Sequence, residues 1–254
     1  MGNKKVVLTI SITVLLLAIA VMGVFYITEN RKSKPVSVQK VVSSQLSKEI
    51  DINSLKCLGN AKQAVIVTAD GYDTCEALVR TYEKGENGWK AVLAPTEASV
   101  GSSGFAAPDE KEEGDGKSPS GAFGFGMCFG NMPNPGTKLS YRQIDSNCYW
   151  VDDPASKLYN TFQTGPADGR WKSAENLGLT GTAYDYAAVI NYNTEKRIPG
   201  KGSAIFMHVW GGRGKGTAGC TAMPKDVLIS VLKWLDPAKN PIIIQGTVDD
   251  ILKM

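Results

Sequence analysis

The chain has 254 residues, of which 43% are hydrophobic and 21% charged, with a formal net charge of +3. So mild a basic balance gives no electrostatic case for a nucleic-acid partner. The apolar content is too high for a disordered polyelectrolyte and is enough for a substantial core.

Residues Val6 to Ile27 run without a charged side chain, between Lys4-Lys5 and Glu29, Arg31, Lys32 and Lys34. About 20 apolar residues in a helix span a hydrocarbon core of roughly 30 Å, whereas the apolar region of a cleavable leader is about 7–15 residues long. The length favours an uncleaved signal-anchor over residues 1–28, placing the rest of the chain outside the cytoplasmic membrane. Ala18-Ile19-Ala20 offers a cleavage site for the alternative, a secreted form. Residues 29–55 read as a polar linker or stalk with one helical stretch around Val41 to Ile50, and residues 56–254 as one domain.

Within that domain, Gln63 to Thr68 has the continuous apolar run of a buried strand. Glu76 to Lys84 and Gly88 to Leu93 form a hairpin around Gly85-Glu86-Asn87. Pro95 to Gly104 and the acidic stretch Asp109 to Asp115 read as loop. Gly121 to Phe125, Ala187 to Tyr192, Ser203 to Val209 and Pro241 to Gln245 are further strands, and Thr182 to Tyr186 is ambiguous. Pro224 to Leu235 has Val227, Leu228, Val231, Leu232 and Leu235 at helical spacing. Many short strands punctuated by glycine and proline, with few helices, predict a mainly β sandwich or barrel.

The five cysteines are Cys57, Cys75, Cys128, Cys148 and Cys220. For an exported chain, disulfides are expected. The simplest of the three connectivities pairs Cys57 with Cys75 and Cys128 with Cys148, closing loops of about twenty residues at roughly 3 kcal/mol each. Cys220 is then the odd thiol. It lies twelve residues after His208, the single histidine, across a segment containing Gly211, Gly212, Gly214, Gly216 and Gly219. A thiol becomes a strong nucleophile when a base takes its proton, and glycines allow the segment to fold back and bring the two together. The chain has no ligand pattern for zinc, and no metal or cofactor is expected.

Ser203-Ala-Ile-Phe-Met-His208 followed by Gly216-Thr-Ala-Gly-Cys220 resembles the active-site segment of the L,D-transpeptidases, bacterial enzymes that cross-link the cell wall. Asp115-Gly-Lys-Ser-Pro-Ser-Gly-Ala-Phe123 is similar to their upstream Gly-Lys-Thr-Pro-x-Gly-x-Phe element. Trp171 to Leu177 and Ala188 to Asn193 are similar to stretches between those motifs in one branch of the family. Two positions depart: Ala218 stands where a histidine is common, and Ala222 where a polar or basic residue is usual.

The resemblance implies a β-sandwich or barrel with a packed helix, Cys220 as nucleophile and His208 as base. It also implies an oxyanion site at the backbone of Gly219, Cys220 and Thr221. The substrate would be the tetrapeptide stem of peptidoglycan, with D-alanine released and 3-3 cross-links formed. Trp210, Arg213 and Thr217 are candidates for substrate contact, and Lys117, Ser118, Pro119 and Gly121 are read as structural. Competing readings are an L,D-carboxypeptidase or other peptidoglycan hydrolase using the same pair, and a catalytically silent envelope-binding protein.

Overall fold

The structure, a computed structural model, describes residues 50–254. The expected signal-anchor and nearly all of the linker lie outside the described residues. Among the described residues no helix is long and apolar enough to cross a membrane.

The strands, in chain order, are β1 (Gln63–Ala69), β2 (Glu76–Gly85), β3 (Gly88–Ala91), β4 (Thr96–Ser99), β5 (Phe105–Ala106), β6 (Ser118–Pro119), β7 (Gly121–Gly130) and β8 (Tyr141–Gln143). They continue as β9 (Cys148–Val151), β10 (Thr161–Thr164), β11 (Ala174–Asn176), β12 (Ala187–Ile190), β13 (Phe206–Val209), β14 (Thr221–Met223) and β15 (Ile242–Thr247). Helix α1 spans Lys225–Trp234 and the short α2 spans Val248–Ile251.

The main sheet runs in the order β1-β15-β7-β12-β13-β14-β4-β2, and β2 also pairs with β1, so it closes on itself as a barrel. β3 extends from β2, and β8 pairs with β7. Each of the eight barrel strands sends at least one side chain into a single cluster with Leu228, Val231 and Leu232 of α1 and Leu235 just after it. That cluster is the barrel interior, and the apolar stripe of α1 is explained by its packing there. The outside is covered in two places. Ala64, Ile66 and Ile244 lie under Ile50, Ile52, Leu55 and Ile251. Phe129, Ala187, Val189 and Phe206 lie under Trp150, Leu177 and Tyr184. Trp150 belongs to β9, the centre of a separate three-stranded sheet in the order β10-β9-β11.

These coverings account for the sequence pattern. β1 is buried along its whole length because both of its faces are covered. The packed body already includes Ile50, Ile52 and Leu55, so its start precedes the boundary expected at residue 56. The hairpin of β2 and β3 pairs Gly85 with Gly88 as expected. Thr96–Ser99, expected as loop, is a barrel strand between β14 and β2; its sequence Thr-Glu-Ala-Ser carries too little apolar signal to be read. The ambiguous stretch before β12 is a 3-10 helix over Gly181–Tyr184.

The expected disulfides are not formed: all five cysteines are free thiols. Cys128 points into the barrel interior beside Thr137, while Cys148 packs in the outer cluster with Phe129 and Trp150. The barrel wall separates those two. Cys57 packs against the outer cluster of Ile52 and Ile66, whereas the Cys75 thiol donates to the Gly214 carbonyl at 3.6 Å. Similar loop lengths do not bring either pair together.

One polar bridge crosses the interior. The Thr221 hydroxyl on β14 donates to Gln245 Oε1 on β15 at 2.8 Å, and Gln245 Nε2 donates to the Pro119 carbonyl at 2.7 Å. Gln245 is fully buried. Gln245→Ala is expected to lower unfolding stability by about 3 kcal/mol, because a buried hydroxyl and carbonyl lose their partners. A urea midpoint shift worth less than about 1 kcal/mol would show that the two groups re-pair elsewhere.

Candidate active site

β13 and β14 run parallel, with Met207 opposite Thr221 and His208 opposite Ala222. Side chains alternate across a strand. Met207 and Met223 face the interior, so Phe206 and His208, and likewise Cys220 and Ala222, face outward. The position of Cys220 along the sheet is therefore opposite Phe206, roughly 7 Å from that of His208 at two residues of strand rise. Both side chains line one cavity of about 540 Å³.

His208 is buried, and its Nδ1 lies 2.8 Å from the Val209 carbonyl. A carbonyl only accepts, so Nδ1 carries the proton and Nε2 keeps the lone pair a base needs. The Tyr184 ring meets the imidazole edge-on, with centroids 5.4 Å apart, and also contacts Phe206. The group that orients the imidazole is thus a backbone carbonyl.

The Cys220 thiol donates to the Ala204 carbonyl at 3.3 Å and accepts from the Phe206 N–H at 3.3 Å. Ala204 holds a left-handed conformation with φ of 53°, a strained setting for a residue with a Cβ, directly beside the thiol. Burial pushes the Cys220 thiol up to about 12, and the Glu175 carboxylate adds to the effect; the Phe206 N–H and the Lys111 ammonium oppose it. Burial lowers His208 from its ordinary value, against the Val209 bond. Burial and the nearby Asp152 charge raise Glu175, against the hydroxyl of Tyr184. The resting pair is consequently a neutral thiol and a neutral imidazole.

The element Lys117-Ser118-Pro119 holds the cysteine in place. The buried Ser118 hydroxyl donates to the Gly219 carbonyl at 2.7 Å, with Cys220 O at 3.1 Å, and accepts from the Gly101 N–H at 2.9 Å. Gly219 has φ of 150°, and a Cβ there would stand 2.9 Å from the Lys117 carbonyl. Glycine before the cysteine therefore admits this neighbouring backbone.

The other expected site residues fare unequally. Thr217 lines the cavity, but its hydroxyl donates to the Cys220 carbonyl at 2.6 Å and accepts from the Gly219 N–H at 3.1 Å. Gly219 is therefore not a free oxyanion donor. Thr221 lies in the ladder opposite Met207, leaving the Cys220 N–H as the remaining backbone donor of the three expected. Trp210 and Arg213 do not line the cavity. The Trp210 N–H extends the ladder to Met223 O, and Arg213 pairs with Glu97 at 3.0 Å on the exposed side. Ala222 is fully buried between His208 and Ser99, in a setting without access for a long polar side chain.

Sequence reading passed over Lys111, Glu113, Asp152, Glu175, Tyr184 and Ser203, all of which line the cavity. Their segments are scattered along the chain. Glu175 and Ser203 did lie inside the family-like strings, Trp171 to Leu177 and Ser203 to His208, but without a role assigned to either.

The YkuD family of L,D-transpeptidase catalytic domains matches residues 68–244. Two solved structures are similar at low identity. One is the helical cell shape determining protein Pgp2 of Campylobacter jejuni, at 16% identity and a TM-score of 0.37, covering 74% of this chain and 49% of that one. The other is a point mutant of the same protein, at 17% and 0.36, covering 75% and 52%. The chain spans about half the length of these solved proteins. No curated protein matches it.

Alkylation of Cys220 by iodoacetamide is expected to be slow at pH 7 and to rise about tenfold per pH unit to pH 9 without a plateau, since the thiol titrates far above that range. Glu175→Gln removes a negative charge that favours the protonated thiol, so alkylation at fixed pH should quicken several-fold. Peptide mass spectrometry gives both rates. A plateau near pH 7 would mean that the resting site holds a thiolate.

Proposed function

Because the chain belongs to the family of L,D-transpeptidase catalytic domains, we propose that it is a cysteine acyltransferase acting on the tetrapeptide stems of peptidoglycan. The observation that carries this reading is the placement of Cys220 and His208 on adjacent parallel strands, opening onto one cavity, with the proton-bearing nitrogen of His208 tied to Val209.

In this reading the thiol leaves the Ala204 carbonyl and gives its proton to His208 Nε2. The sulfur then adds to the carbonyl between the third and fourth residues of the stem. The Phe206 N–H already faces the sulfur and stabilises the charge that gathers there. The Cys220 N–H serves the oxyanion of the tetrahedral intermediate; losing such a donor typically costs roughly 3–4 kcal/mol of transition-state stabilisation. The C–N bond breaks, His208 returns the proton to the departing amine, and D-alanine leaves a thioester on Cys220. The side-chain amine of a second stem then attacks the thioester and forms the 3-3 cross-link. His208 takes up the proton that the amine loses, and the thiol is restored. Water as acceptor makes the same site a carboxypeptidase.

The full chain incubated with a purified disaccharide-tetrapeptide, beside Cys220→Ala, decides among the readings by mass spectrometry. A cross-linked dimer with loss of D-alanine, absent from the variant, is expected. Tripeptide alone would make it a carboxypeptidase. Absence of both products and of a thioester would leave an envelope-binding protein.

We further place the domain outside the cytoplasmic membrane, held by Val6 to Ile27; this rests on the apolar run alone. The full chain should stay in the membrane fraction through an alkaline carbonate wash. Release of a shortened chain would point instead to cleavage near Ala18 to Ala20.

A further inference from the structure

Ser118 is fully buried in β6 and takes no part in the cavity wall. Its oxygen accepts from the Gly101 N–H, which leaves its single hydrogen for the Gly219 carbonyl at 2.7 Å, with the Cys220 carbonyl farther off at 3.1 Å. The Gly219 carbonyl is thereby turned away from the cavity and toward Ser118.

That orientation fixes a second group. The chain has no cis peptide, and in a trans peptide the C=O and N–H point in opposite directions. A Gly219 carbonyl held against Ser118 therefore sends the Cys220 N–H the other way, to the side on which Gly219 and Cys220 line the cavity. The ladder makes no use of this donor, because β14 begins at Thr221. Among the described residues the Cys220 N–H has no hydrogen-bond acceptor. Its neighbours are already committed, the Phe206 N–H to the sulfur and the Gly219 N–H to Thr217.

The peptides on either side have a different anchor. The Thr217 hydroxyl accepts from the Gly219 N–H and donates to the Cys220 carbonyl, pinning the peptides before and after. The peptide between them is pinned by Ser118 alone. The sulfur is placed independently, by the Ala204 carbonyl and the Phe206 N–H. Loss of the Ser118 hydroxyl thus leaves the thiol where it is and frees one peptide plane to turn. Glycine at 219 has no side chain to resist the turn. A half-turn would put a carbonyl oxygen where the N–H stood, and that oxygen repels an oxyanion.

We infer that Ser118 is a positioning residue for acyl transfer: it holds the Gly219–Cys220 peptide so that the Cys220 N–H is presented to the oxyanion. The inference rests on the acyl-transfer reading of Cys220 and is independent of which chain supplies the acyl group.

Two reactions at the same sulfur separate this role from a structural one. With iodoacetamide the thiolate displaces iodide at a tetrahedral carbon, and no oxyanion forms. With p-nitrophenyl acetate the thiolate adds to the ester carbonyl, the oxyanion collapses, and p-nitrophenolate leaves an S-acetyl group on Cys220. Both rates scale with the thiolate fraction, so their ratio does not depend on how the thiol titrates. The full chain is treated with each reagent, and modification of Cys220 is followed by peptide mass spectrometry.

In Ser118→Ala, acetylation should slow by at least about tenfold, as expected when an oxyanion donor is lost, while alkylation stays within about twofold. Ser118→Thr keeps the hydroxyl, and threonine stands at this place in the family element, so the ratio should recover. Ser118→Cys is nearly the same size with a weaker donor and should fall between, which keeps the test decisive if the alanine variant does not fold. Equal losses in both reactions would make Ser118 a merely structural support and overturn the inference. Undiminished acetylation in the alanine and cysteine variants would overturn it as well. A wild-type chain that is alkylated but never acetylated would instead sink the acyl-transfer reading itself.

A second arm uses the disaccharide-tetrapeptide. The deficit of Ser118→Ala should fall on kcat, with KM within about twofold, because the donor serves the transition state. A deficit confined to KM would overturn the positioning role. If the wild-type chain leaves the tetrapeptide untouched while the ester ratio still falls in Ser118→Ala, the role of Ser118 stands and the peptide-stem reading is removed.

Discussion

The site depends on the parallel pairing of Phe206–Val209 with Thr221–Met223. Parallel neighbours cannot be joined by a tight hairpin; the chain must leave the end of one strand and return to the start of the next, usually through a helix. Here residues 210–220 make that return without one. The return ends with Cys220 at the mouth of β14, level with Phe206. The same segment supplies Gly211, Lys215, Gly216, Thr217, Ala218 and Gly219 to the cavity wall. Its position is enforced by Ser118, whose hydroxyl reaches the carbonyls around the cysteine while accepting from Gly101. Without that clamp the ladder would still align His208, but the approach to Cys220 would lose its anchor.

The barrel wall divides labour between its faces. Inside, α1 fills the lumen with leucine and valine, and the Thr221–Gln245–Pro119 bridge ties β14 to β15 and β6. Outside, the same strands present Phe206, His208 and Cys220 to a smaller cluster that the β10-β9-β11 sheet helps to cover. Trp150 of that sheet packs on Phe206 with centroids 5.0 Å apart, and its Nε1 donates to Asn160, which also accepts from the Ala204 N–H. The strained turn at Ala204 is thereby supported by a neighbour that is itself part of the outer core. Alternation along one strand lets a rigid interior set the geometry of a site on the opposite face.

The legible parts of the sequence were those in which a short string carries its own physics. The apolar run of β1, the helical spacing of α1 and the histidine and cysteine flanking a glycine-rich return all belong to this kind. Thr96–Ser99 escaped because a four-residue polar strand gains its place from its neighbours, β14 and β2, and not from its own composition. The disulfide expectation failed for a related reason. Equal loop lengths constrain nothing about which face of a wall a side chain occupies, and Cys128 and Cys148 lie on opposite sides. Trp210 and Arg213 are close to His208 in the chain, yet proximity in sequence past a strand end does not survive the turn outward. The carboxylates and Ser203 come from segments scattered along the chain, and only the folded barrel gathers them.

Burial gives the pair its difficulty as well as its precision of placement. Removing both groups from water pushes the thiol up to about 12 and the imidazole down, so that moving a proton from Cys220 to His208 is uphill in the resting protein. Two fixed contributions work against this: the Phe206 N–H directed at the sulfur and the Lys111 ammonium. Glu175 works the other way, because its carboxylate penalises a second negative charge nearby. On the proposed reading, a bound chain that sets its carbonyl against the sulfur favours the thiolate–imidazolium pair only while it is present, so the empty site stays a thiol, which limits alkylation and oxidation of Cys220.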